Sequence, residues 1–478
     1  MSSQRDRVAR KAEPIRRTKI VATLGPATGS DEGIGGLLDA GADVIRVNAS
    51  HGTPDERGRW IRAVRRAADQ RGLPVAVVLD LQGPRIRVGA LPAPRELVPG
   101  ETVVFAPEDQ ARPGDLPTTY AELARDVGPG ARILLNDGLL SVDVTRVEPP
   151  RVETRVLVGG TLTSNKGMNL PGVQVSAPAL TAKDREDVRH ALEFGVEYFA
   201  LSFVRRAEDL AELRGLVPKP VKLVAKIEKA AALDDLERIL QAADAVMVAR
   251  GDLGVELPFE QVPLVQKRLI REANLHGRPV ITATQMLESM VEHPRPTRAE
   301  ASDVANAILD GTDAVMLSAE TAVGAYPFDA VRAMDRIIRE IERQVPPRDE
   351  RRFPERDHVP VEDAIAIGTS AVARMLRTPL IVSLTTGGFT ARKVAALRPT
   401  VPILAVTTEP LTYRQLALVW GVTPVLVDRV PDYDAMLAVV RDLILKRELA
   451  RPGDRIVMTA GVPWETSGTT NLLKVEVV

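Results

Sequence analysis

One short phrase recurs four times along the chain, and it constrains the fold more than any other feature of the sequence. Each copy has a small residue, one further residue, an acidic residue and then four or five mostly apolar residues. The copies begin at Gly41, Gly195, Ala242 and Gly311. Gly readily adopts the left-handed conformation that ends a helix, and a short apolar run after such an end is typical of a buried parallel strand. The phrase therefore predicts four units in which a helix leads into a strand.

Four more apolar runs look like strands that lack the acidic residue. They cover 19–23, 75–80, 221–227 and 279–284. Helical patterns separate most of the eight segments, and the one at 301–309 follows Thr297 and Glu300, which have the spacing of a capping box. Strands and helices that alternate eight times predict a (β/α)8 TIM barrel, and a doubly wound open α/β sheet is the alternative.

The alternation is interrupted twice, so the 478 residues predict several domains. Residues 89–175 are rich in Pro and Gly and contain period-two stretches, which predict a small β-barrel inserted as a lid. The TIM barrel then comprises 18–88 and 176–345. The remaining predicted parts are a flexible N-terminal arm at 1–17, a charged linker at 346–360 and a C-terminal α/β domain at 361–478.

Composition excludes several classes of protein. The chain has no Cys, which excludes disulfides and Cys-based zinc sites, and with only five His any metal would have to bind carboxylates. Carboxylate ligands favour Mg²⁺ or Mn²⁺. A net charge of −1 offers no broadly basic surface to nucleic acid, and no apolar run is long enough to span a membrane. We therefore expect a cytoplasmic protein with small-molecule ligands.

Charged residues cluster where two neighbouring barrel strands are predicted to end, which is where barrel enzymes place their catalytic groups. Lys226 and Glu228 are two residues apart on one strand, so their side chains point to the same side. The next strand ends at Gly251 and Asp252, and Gly lets a ligand approach the backbone closely. A Lys-x-Glu sequence alone is more often a solvated ion pair. Its position at a strand end is what indicates a Mg²⁺ site shared by two carboxylates.

Several longer stretches of the chain form recognisable motifs. They are TKIVATLGPAT at 18–28, RVNASHG at 46–52, LDLQGPRIR at 79–87, KGMNLPG at 166–172, KIE at 226–228, ARGDLG at 249–254, ATQMLESM at 283–290, PRPTRAE at 294–300 and LSAET at 317–321. In this order, and over almost the whole length of the chain, they resemble the motifs of the pyruvate kinase family.

The resemblance implies transfer of the phosphoryl group of phosphoenolpyruvate to ADP, giving pyruvate and ATP through a Mg²⁺-stabilised enolate. It implies that Glu228 and Asp252 hold Mg²⁺ (or Mn²⁺), that Lys226 neutralises the phosphoryl group in flight and that Arg46 contacts phosphate. A metal-dependent lyase or aldolase that stabilises an enolate on the same barrel is the alternative, but it would have no use for Lys226.

The resemblance also assigns the rest of the site. It implies that Gly251, Asp252 and Thr284 bind the substrate carboxylate, and that a proton reaches the enolate through water near Thr284. It implies that Arg87 and Lys166 contact the phosphates of the nucleotide and that the lid closes over the site.

One departure from the family pattern concerns a monovalent cation. Many members bind K⁺ with an Asn, a Ser, an Asp and a Thr, and here Asn48, Ser50 and Asp80 match the first three. Leu81 stands in place of the Thr, and Arg85 stands in place of a nearby Glu. Because Arg is always charged, we expect the Arg85 guanidinium to substitute for K⁺ and the activity to be independent of K⁺. The alternative is that Arg85 is a surface residue and K⁺ still binds.

In the C-terminal domain, the loop containing Thr385, Thr386 and Thr390 precedes a predicted helix. The resemblance implies that such a loop can bind the phosphate of an allosteric effector, and hydroxyl groups at a helix N-terminus suit a phosphate. The alternative is an ordinary N-capped helix. The resemblance further implies a homotetramer.

Overall fold

The computed structural model describes residues 15–345, 359–462 and 469–478. Eight parallel strands close into a barrel in which each strand pairs with the next along the chain and the eighth pairs with the first. From one to eight, these barrel strands are Lys19–Thr23, Val44–Asn48, Ala76–Asp80, Tyr198–Leu201, Lys222–Ile227, Ala245–Ala249, Val280–Ala283 and Ala314–Leu317. The barrel prediction is confirmed, and the alternative of an open sheet is wrong.

Helices surround the barrel. The α-helices of this region are Asp31–Ala40, Pro54–Arg71, Ala182–Phe194, Ala207–Arg214, Ala231–Asp234, Leu236–Ala242, Arg250–Glu256, Val262–Leu275, Arg298–Asp310, Ala319–Ala322 and Pro327–Gln344, with short 3-10 helices at Phe259–Gln261 and Glu288–Val291. Gly41 and Gly311 end their helices in the left-handed conformation expected from the recurring phrase. Thr297 and Glu300 form the predicted capping box.

The acidic residue of each recurring phrase joins two strands at the N-terminal end of the barrel. The four residues, which we call the acidic ring, are Asp43, Glu197, Asp244 and Asp313. Each accepts a hydrogen bond of 2.7–3.0 Å from a backbone N–H of the adjacent strand. A buried N–H without a partner is costly, so these carboxylates stabilise the starts of the strands. Their repetition in the sequence therefore has a structural cause.

The inserted domain consists of sheets, as expected of an all-β lid. Its six-stranded sheet ends on strands of two and three residues, and the segment 86–89 bonds to the chain at both of these ends. In sheet order the strands are Met168–Asn169, Arg132–Leu135, Leu140–Glu148, Arg151–Val158, Thr102–Pro107 and Leu116–Thr118. Arg95–Leu97 and Gly160–Leu162 form a separate pair, and a short helix lies at Leu123–Asp126. The insertion has its own apolar core.

The C-terminal domain is a five-stranded sheet with four parallel strands and one antiparallel edge strand. In chain order its strands are Ile381–Leu384, Ile403–Thr407, Val422–Leu426, Arg455–Ala460 and Leu472–Val477, and its helices are Val361–Leu376, Phe389–Ala396, Pro410–Gln415, the 3-10 helix Leu416–Leu418 and Tyr433–Lys446. The first helix and the edge strand were not predicted from the sequence, because neither follows the strand–helix alternation used there.

The C-terminal domain closes the N-terminal end of the barrel. Ala417 and Leu418 pack into the apolar cluster that fills the barrel interior. Arg398 donates two hydrogen bonds to the carboxylate of Asp313, at 2.9 and 2.8 Å, and both side chains are buried. A site between the barrel and the lid would therefore lie at the other end of the barrel, where the strands have their C-terminal ends. We call that end the barrel mouth.

The boundary of the predicted N-terminal arm lies too far along the chain. Arg16 forms ion pairs with Asp43 and Asp335, and the backbone N–H of Arg17 donates to Glu342 at 2.9 Å. These residues therefore belong to the barrel rather than to a flexible arm. Residues 1–14 of the predicted arm and 346–358 of the predicted linker lie outside the described residues. No helix in the described part of the chain is both long and apolar enough to cross a membrane.

Candidate active site

Lys226 lies buried at the centre of the barrel mouth, between two carboxylates. Its Nζ is 2.9 Å from Oε1 of Glu228 and 3.1 Å from Oδ1 of Asp80, and it donates a 2.7 Å hydrogen bond to Oγ of Ser202. Burial would lower the pKa of Lys226, but the two carboxylates outweigh it and hold that pKa above its ordinary value. Lys226 is therefore charged at neutral pH and held in a fixed position.

Arg46 contributes a second positive charge from barrel strand two. It donates a 2.7 Å hydrogen bond from Nε to Oδ2 of Asp80 and a 3.2 Å bond from Nη1 to Oγ1 of Thr23. Burial would raise the pKa of Asp80, but Lys226 and Arg46 outweigh it and keep that pKa below its ordinary value. Asp80 therefore holds both cations of the site at once.

Glu228 and Asp252 supply the two carboxylates predicted to bind a metal. Oε2 of Glu228 accepts a 2.7 Å hydrogen bond from the backbone N–H of Phe203. Burial raises the pKa of Glu228, and the nearby carboxylate of Asp252 adds to the rise although Lys226 opposes it. A divalent cation would relieve this repulsion, and oxygen donors of this kind suit Mg²⁺. Within the described ranges no group of three or more His, Asp or Glu side chains is arranged to hold a metal.

Thr284 and Gly251 meet at the mouth beside these carboxylates. The N–H of Gly251 donates a 2.8 Å hydrogen bond to Oγ1 of Thr284. Thr284 and Gln285 both have positive φ angles, 67° and 53°, which is rare for residues other than Gly. Arg250 holds this turn by donating from Nη2 to the Thr284 carbonyl at 2.7 Å. It also pairs with Asp303 at 2.6 Å.

Two residues at the mouth have roles that the sequence did not indicate. Ser202 accepts from Lys226 and donates to the carbonyl of Leu81 at 2.7 Å, so it connects strands five, four and three. Arg250 lies within the ARGDLG motif at 249–254, but nothing in the sequence indicated that it holds the Thr284 turn. Both contacts join segments that are distant in sequence, and no local pattern of residues signals them.

The predicted monovalent-cation group is only partly assembled. Oδ1 of Asn48 accepts a hydrogen bond of 3.0 Å from the N–H of Ser50, and Asp80 is bound by the two cations described above. Arg85 does not pair with Asp80: its side chain is exposed, and within the described ranges it forms no ion pair or side-chain hydrogen bond. Burial lowers the pKa of His51, and the positive charge of Arg85 lowers it further. The charge of Arg85 is therefore felt at His51, the residue after Ser50.

The two residues predicted to contact a nucleotide lie on adjacent backbone segments. Arg87 forms an isolated antiparallel bridge with Gly167, next to Lys166, and the N–H of Val88 donates to the Lys166 carbonyl at 2.9 Å. The first segment leaves barrel strand three and the second returns from the lid. Arg87 and Lys166 are thus brought together at the junction of barrel and lid.

The threonines of the predicted effector loop are differently placed from one another. Oγ1 of the buried Thr390 lies 2.7 Å from Oγ1 of Thr470, whereas the Thr386 carbonyl accepts from Oγ1 of Thr412 at 2.7 Å. Thr385 is buried. The helix begins at Phe389 with no side-chain cap, so the alternative of an ordinary N-capped helix is wrong.

The structure defines a multidomain barrel enzyme. It has a closed β/α barrel with a lysine held between carboxylates at its mouth, an inserted lid and a C-terminal α/β domain. Known proteins narrow this class. The family profile described as "Pyruvate kinase, barrel domain" matches residues 15–331, and "Pyruvate kinase, alpha/beta domain" matches residues 363–476. The chain therefore belongs to the pyruvate kinase family and is a phosphotransferase.

Individual relatives agree with this assignment along nearly the whole chain. Pyruvate kinase of Geobacillus stearothermophilus is 46% identical over 477 residues, covering 97% of this chain and 80% of the relative. Pyruvate kinase of Mycobacterium intracellulare is 46% identical over 467 residues, covering 96% and 98%. The crystal structure of a pyruvate kinase from Cryptosporidium parvum superposes with a TM-score of 0.90 at 35% identity, covering 97% of this chain and 96% of that one.

Proposed function

We propose that the protein transfers the phosphoryl group of phosphoenolpyruvate to ADP at the barrel mouth, forming pyruvate and ATP. One observation carries the proposal: Lys226 is buried, charged and fixed by Asp80, Glu228 and Ser202. Phosphoryl transfer depends on positioning and on neutralising charge more than on covalent catalysis. A fixed cation in a site that excludes water supplies that neutralisation without reorganising during the reaction.

Lys226 and Arg46 would bind the phosphoryl oxygens in this reaction. The two side chains share Asp80, which keeps their charged groups in one place. Because the carboxylates keep Lys226 protonated, its charge is available over the whole neutral pH range. The metal-dependent lyase or aldolase alternative gives no role to this pair, and it is not favoured.

Glu228 and Asp252 would hold Mg²⁺ (or Mn²⁺), with substrate oxygens and water completing the shell. Burial raises the pKa of Glu228 and the nearby carboxylate of Asp252 adds to the rise, which supports this assignment because a divalent cation would stabilise both charged carboxylates. When bound, the metal supplies positive charge for the substrate oxygens.

Gly251 and Thr284 would bind the substrate carboxylate. The Gly251 N–H donates to Thr284 now, and a carboxylate oxygen in the same place would accept that hydrogen bond. The Thr284 hydroxyl, which donates to the Ala283 carbonyl at 2.6 Å, would turn from that carbonyl to donate to water that delivers a proton to the enolate carbon. Arg250 keeps the turn in position for both tasks.

Arg87 and Lys166 would contact the phosphates of ADP. They lie side by side where the lid joins the barrel, so closure of the lid would bring the nucleotide against the substrate. A closed lid also excludes water, which would otherwise compete as the acceptor of the phosphoryl group.

We also propose that the activity does not require K⁺. The support is electrostatic: the charges of Arg85, Arg46 and Arg87 all act on His51, next to Ser50, so positive charge is present there without an added ion. Rates in K⁺-free and K⁺-containing buffers of equal ionic strength should then agree. Strong stimulation by K⁺ would contradict the proposal, and Arg85→Glu should create a K⁺ requirement.

Membership of the family supports three further proposals, on an effector site, the oligomeric state and the cellular location. A phosphorylated effector would bind at the loop containing Thr385, Thr386 and Thr390. A homotetramer is supported by exposed apolar side chains on the first C-terminal helix, such as Met375 at 79% exposure, and light scattering would measure it. A cytoplasmic location fits a glycolytic enzyme and is tested by cell fractionation.

The central test is ATP formation from phosphoenolpyruvate and ADP by Lys226→Met. Loss of the fixed charge should abolish transfer, while proton exchange at the methyl carbon of pyruvate should remain measurable. Lys446→Met is a matched control, because Lys446 is exposed and its ion pair in the described part of the chain is with the exposed Asp442. Full transfer activity in Lys226→Met would refute the assigned role, and enolate chemistry without any transfer in the unsubstituted protein would favour a lyase.

A further inference from the structure

A buried arginine and a lysine hold residues 49–52, which follow barrel strand two and which we call the strand-two loop. Nη1 of Arg57 donates to three carbonyls of this loop, those of Ala49, His51 and Gly52, at 3.4, 3.0 and 2.8 Å. Nζ of Lys183 donates to the Ala49 carbonyl as well, at 2.7 Å. Three of the four carbonyls of the loop are therefore bound by one pair of cations.

A single carboxylate keeps both cations in place. Oδ1 of Asp187 accepts from Nη2 of Arg57, and Oδ2 of Asp187 accepts from Nζ of Lys183 at 2.6 Å. Arg57 and Asp187 are almost fully buried. Hydrogen bonds from charged donors are stronger than those between neutral groups, and here they join two helices to the loop. Arg57 lies on the helix Pro54–Arg71, and Asp187 and Lys183 lie on the helix Ala182–Phe194.

The strand-two loop is bonded directly to the residue that organises the barrel mouth. The N–H of Ala49 donates to the backbone carbonyl of Asp80 at 2.8 Å, and the carboxylate of Asp80 binds Arg46 and Lys226. Arg46 itself lies on strand two, three residues before Ala49. A shift of the loop would therefore move the end of the strand that carries Arg46 together with the backbone of Asp80.

The helix Ala182–Phe194 also holds the segment that follows strand three. Oδ1 of Asp184 accepts from the N–H of Gly83 at 3.2 Å, and Asp184 is fully buried. This helix is the first one after the inserted lid. Its first two turns thus bind backbone groups of two neighbouring segments at the barrel mouth, and Arg57 is the partner through which they reach the strand-two loop.

We propose that Arg57 is a positioning residue for phosphoryl transfer, and that it holds the strand-two loop so that Arg46 and Asp80 stay in place. Its guanidinium binds Asp187 through one nitrogen and the loop carbonyls through the other, which a single ammonium group cannot reproduce. Displacement of a reacting group by an ångström reduces rates by about 100-fold, so a loosened loop lowers kcat. This role rests on the proposed function, but the holding of the loop is measurable by itself.

The experiment compares Arg57→Gln with Arg65→Gln, which is its matched control. Arg65 lies on the same helix, binds the carbonyls of Val75 and Gly195 at 2.9 and 2.8 Å and pairs with the buried Glu197 of the acidic ring. Both substitutions remove a guanidinium that binds backbone carbonyls and a buried carboxylate, but they do so at opposite ends of the barrel. Both should therefore lower the melting temperature.

Only Arg57→Gln should change the barrel mouth, and kinetics are measured well below both melting temperatures. Its kcat should fall at least about tenfold, whereas Arg65→Gln should keep the kcat of the unsubstituted protein. The KM for ADP should be unchanged in both, because the predicted ADP contacts lie at the lid junction. Amide hydrogen exchange at residues 49–51 should be faster only in Arg57→Gln, and Arg57→Lys should retain a higher kcat than Arg57→Gln because it keeps the charge.

Equal losses of kcat in Arg57→Gln and Arg65→Gln would overturn the proposal, because the effect would then be one of stability alone. So would unchanged exchange at residues 49–51 in Arg57→Gln. If the unsubstituted protein formed no ATP from phosphoenolpyruvate and ADP, the proposed function would fail, whereas faster exchange confined to Arg57→Gln would still establish that Arg57 holds the loop.

Lys183→Gln tests the same loop if Arg57→Gln does not fold. Lys183 is substantially exposed, so its loss should be tolerated, and it removes one donor from the Ala49 carbonyl. Its control is Arg185→Gln, because Arg185 lies on the same helix and pairs with Glu212. Lys183→Gln should speed exchange at residues 49–51 and lower kcat relative to Arg185→Gln. No difference between these two variants would contradict the proposal.

Discussion

Replacing Asp80 by Asn tests the organisation of the barrel mouth most directly. Asp80 is almost fully buried and binds Arg46 at 2.7 Å and Lys226 at 3.1 Å. The amide of Asn is nearly isosteric with the carboxylate but carries no charge. Arg46 would then lose its carboxylate, and Lys226 would keep only Glu228. The substitution therefore removes the charge that orients both cations and leaves the shape of the core almost unchanged.

The size of the effect follows from the burial. Removing one partner of a buried ion pair costs about 3–5 kcal/mol, so the free energy of unfolding should fall by about that amount. Displacement of a catalytic group by an ångström reduces rates by about 100-fold, which is the loss of kcat/KM expected for phosphoenolpyruvate. Urea denaturation of the barrel and steady-state kinetics measure the two effects separately.

The pH dependence of stability gives a further check on the role of Asp80, and the direction of the effect can be predicted. The pKa of Asp80 is lowered in the folded protein. Its stabilising charge is therefore fully present above the pKa of an unfolded Asp and is lost as the pH falls through the lower folded pKa. The stability difference between the unsubstituted protein and Asp80→Asn should be constant near neutral pH and should shrink only in strongly acidic buffer.

Asp143→Asn is the matched control for Asp80→Asn. Asp143 pairs with Arg132 at 2.8 Å, but both side chains are substantially exposed. Exposed pairs contribute about 0–1 kcal/mol, so this variant should remain close to the unsubstituted protein. The reasoning is refuted if Asp80→Asn costs no more stability than Asp143→Asn, or if it loses stability but retains full kcat/KM.

Three other substitutions have definite expected outcomes. Arg398→Met should lower the free energy of unfolding by about 3–5 kcal/mol, because it leaves Asp313 buried without its partner; a change below about 1 kcal/mol in urea denaturation would contradict this. Gly251→Ala should change the free energy of unfolding by less than about 1 kcal/mol, because the added Cβ would lie at an ordinary contact distance of 3.5 Å from Oγ1 of Thr284. The same substitution should raise the KM for phosphoenolpyruvate, and an unchanged KM would argue against the carboxylate site. Glu228→Gln should weaken Mn²⁺ binding, measured by electron paramagnetic resonance without substrate, at least about tenfold; unchanged binding would exclude Glu228 as a ligand.

Several parts of the fold and site follow from local patterns. Apolar runs after helix-ending Gly residues predict strands, because a buried parallel strand needs continuous apolar side chains. Together with four further apolar runs they predict the eight strands of the barrel, and the rule that barrel enzymes use the C-terminal ends of strands directs attention to Lys226, Glu228 and Asp252. The edge strand Leu472–Val477 was missed because it lies outside the repeating alternation.

The sequence alone determined which residues stand at the barrel mouth and that most of them are charged, since period and spacing are properties of the chain. Only the tertiary structure decided which charges meet. Asp80 binds Arg46 and Lys226, whereas the Arg85 side chain is exposed. Pairing depends on distances between segments that are far apart in sequence, and on which carboxylates other cations already occupy. The recurring acidic residues illustrate both contributions. Their repetition is visible in the sequence, but their bonds to the neighbouring strands and to the C-terminal domain exist only in the folded protein.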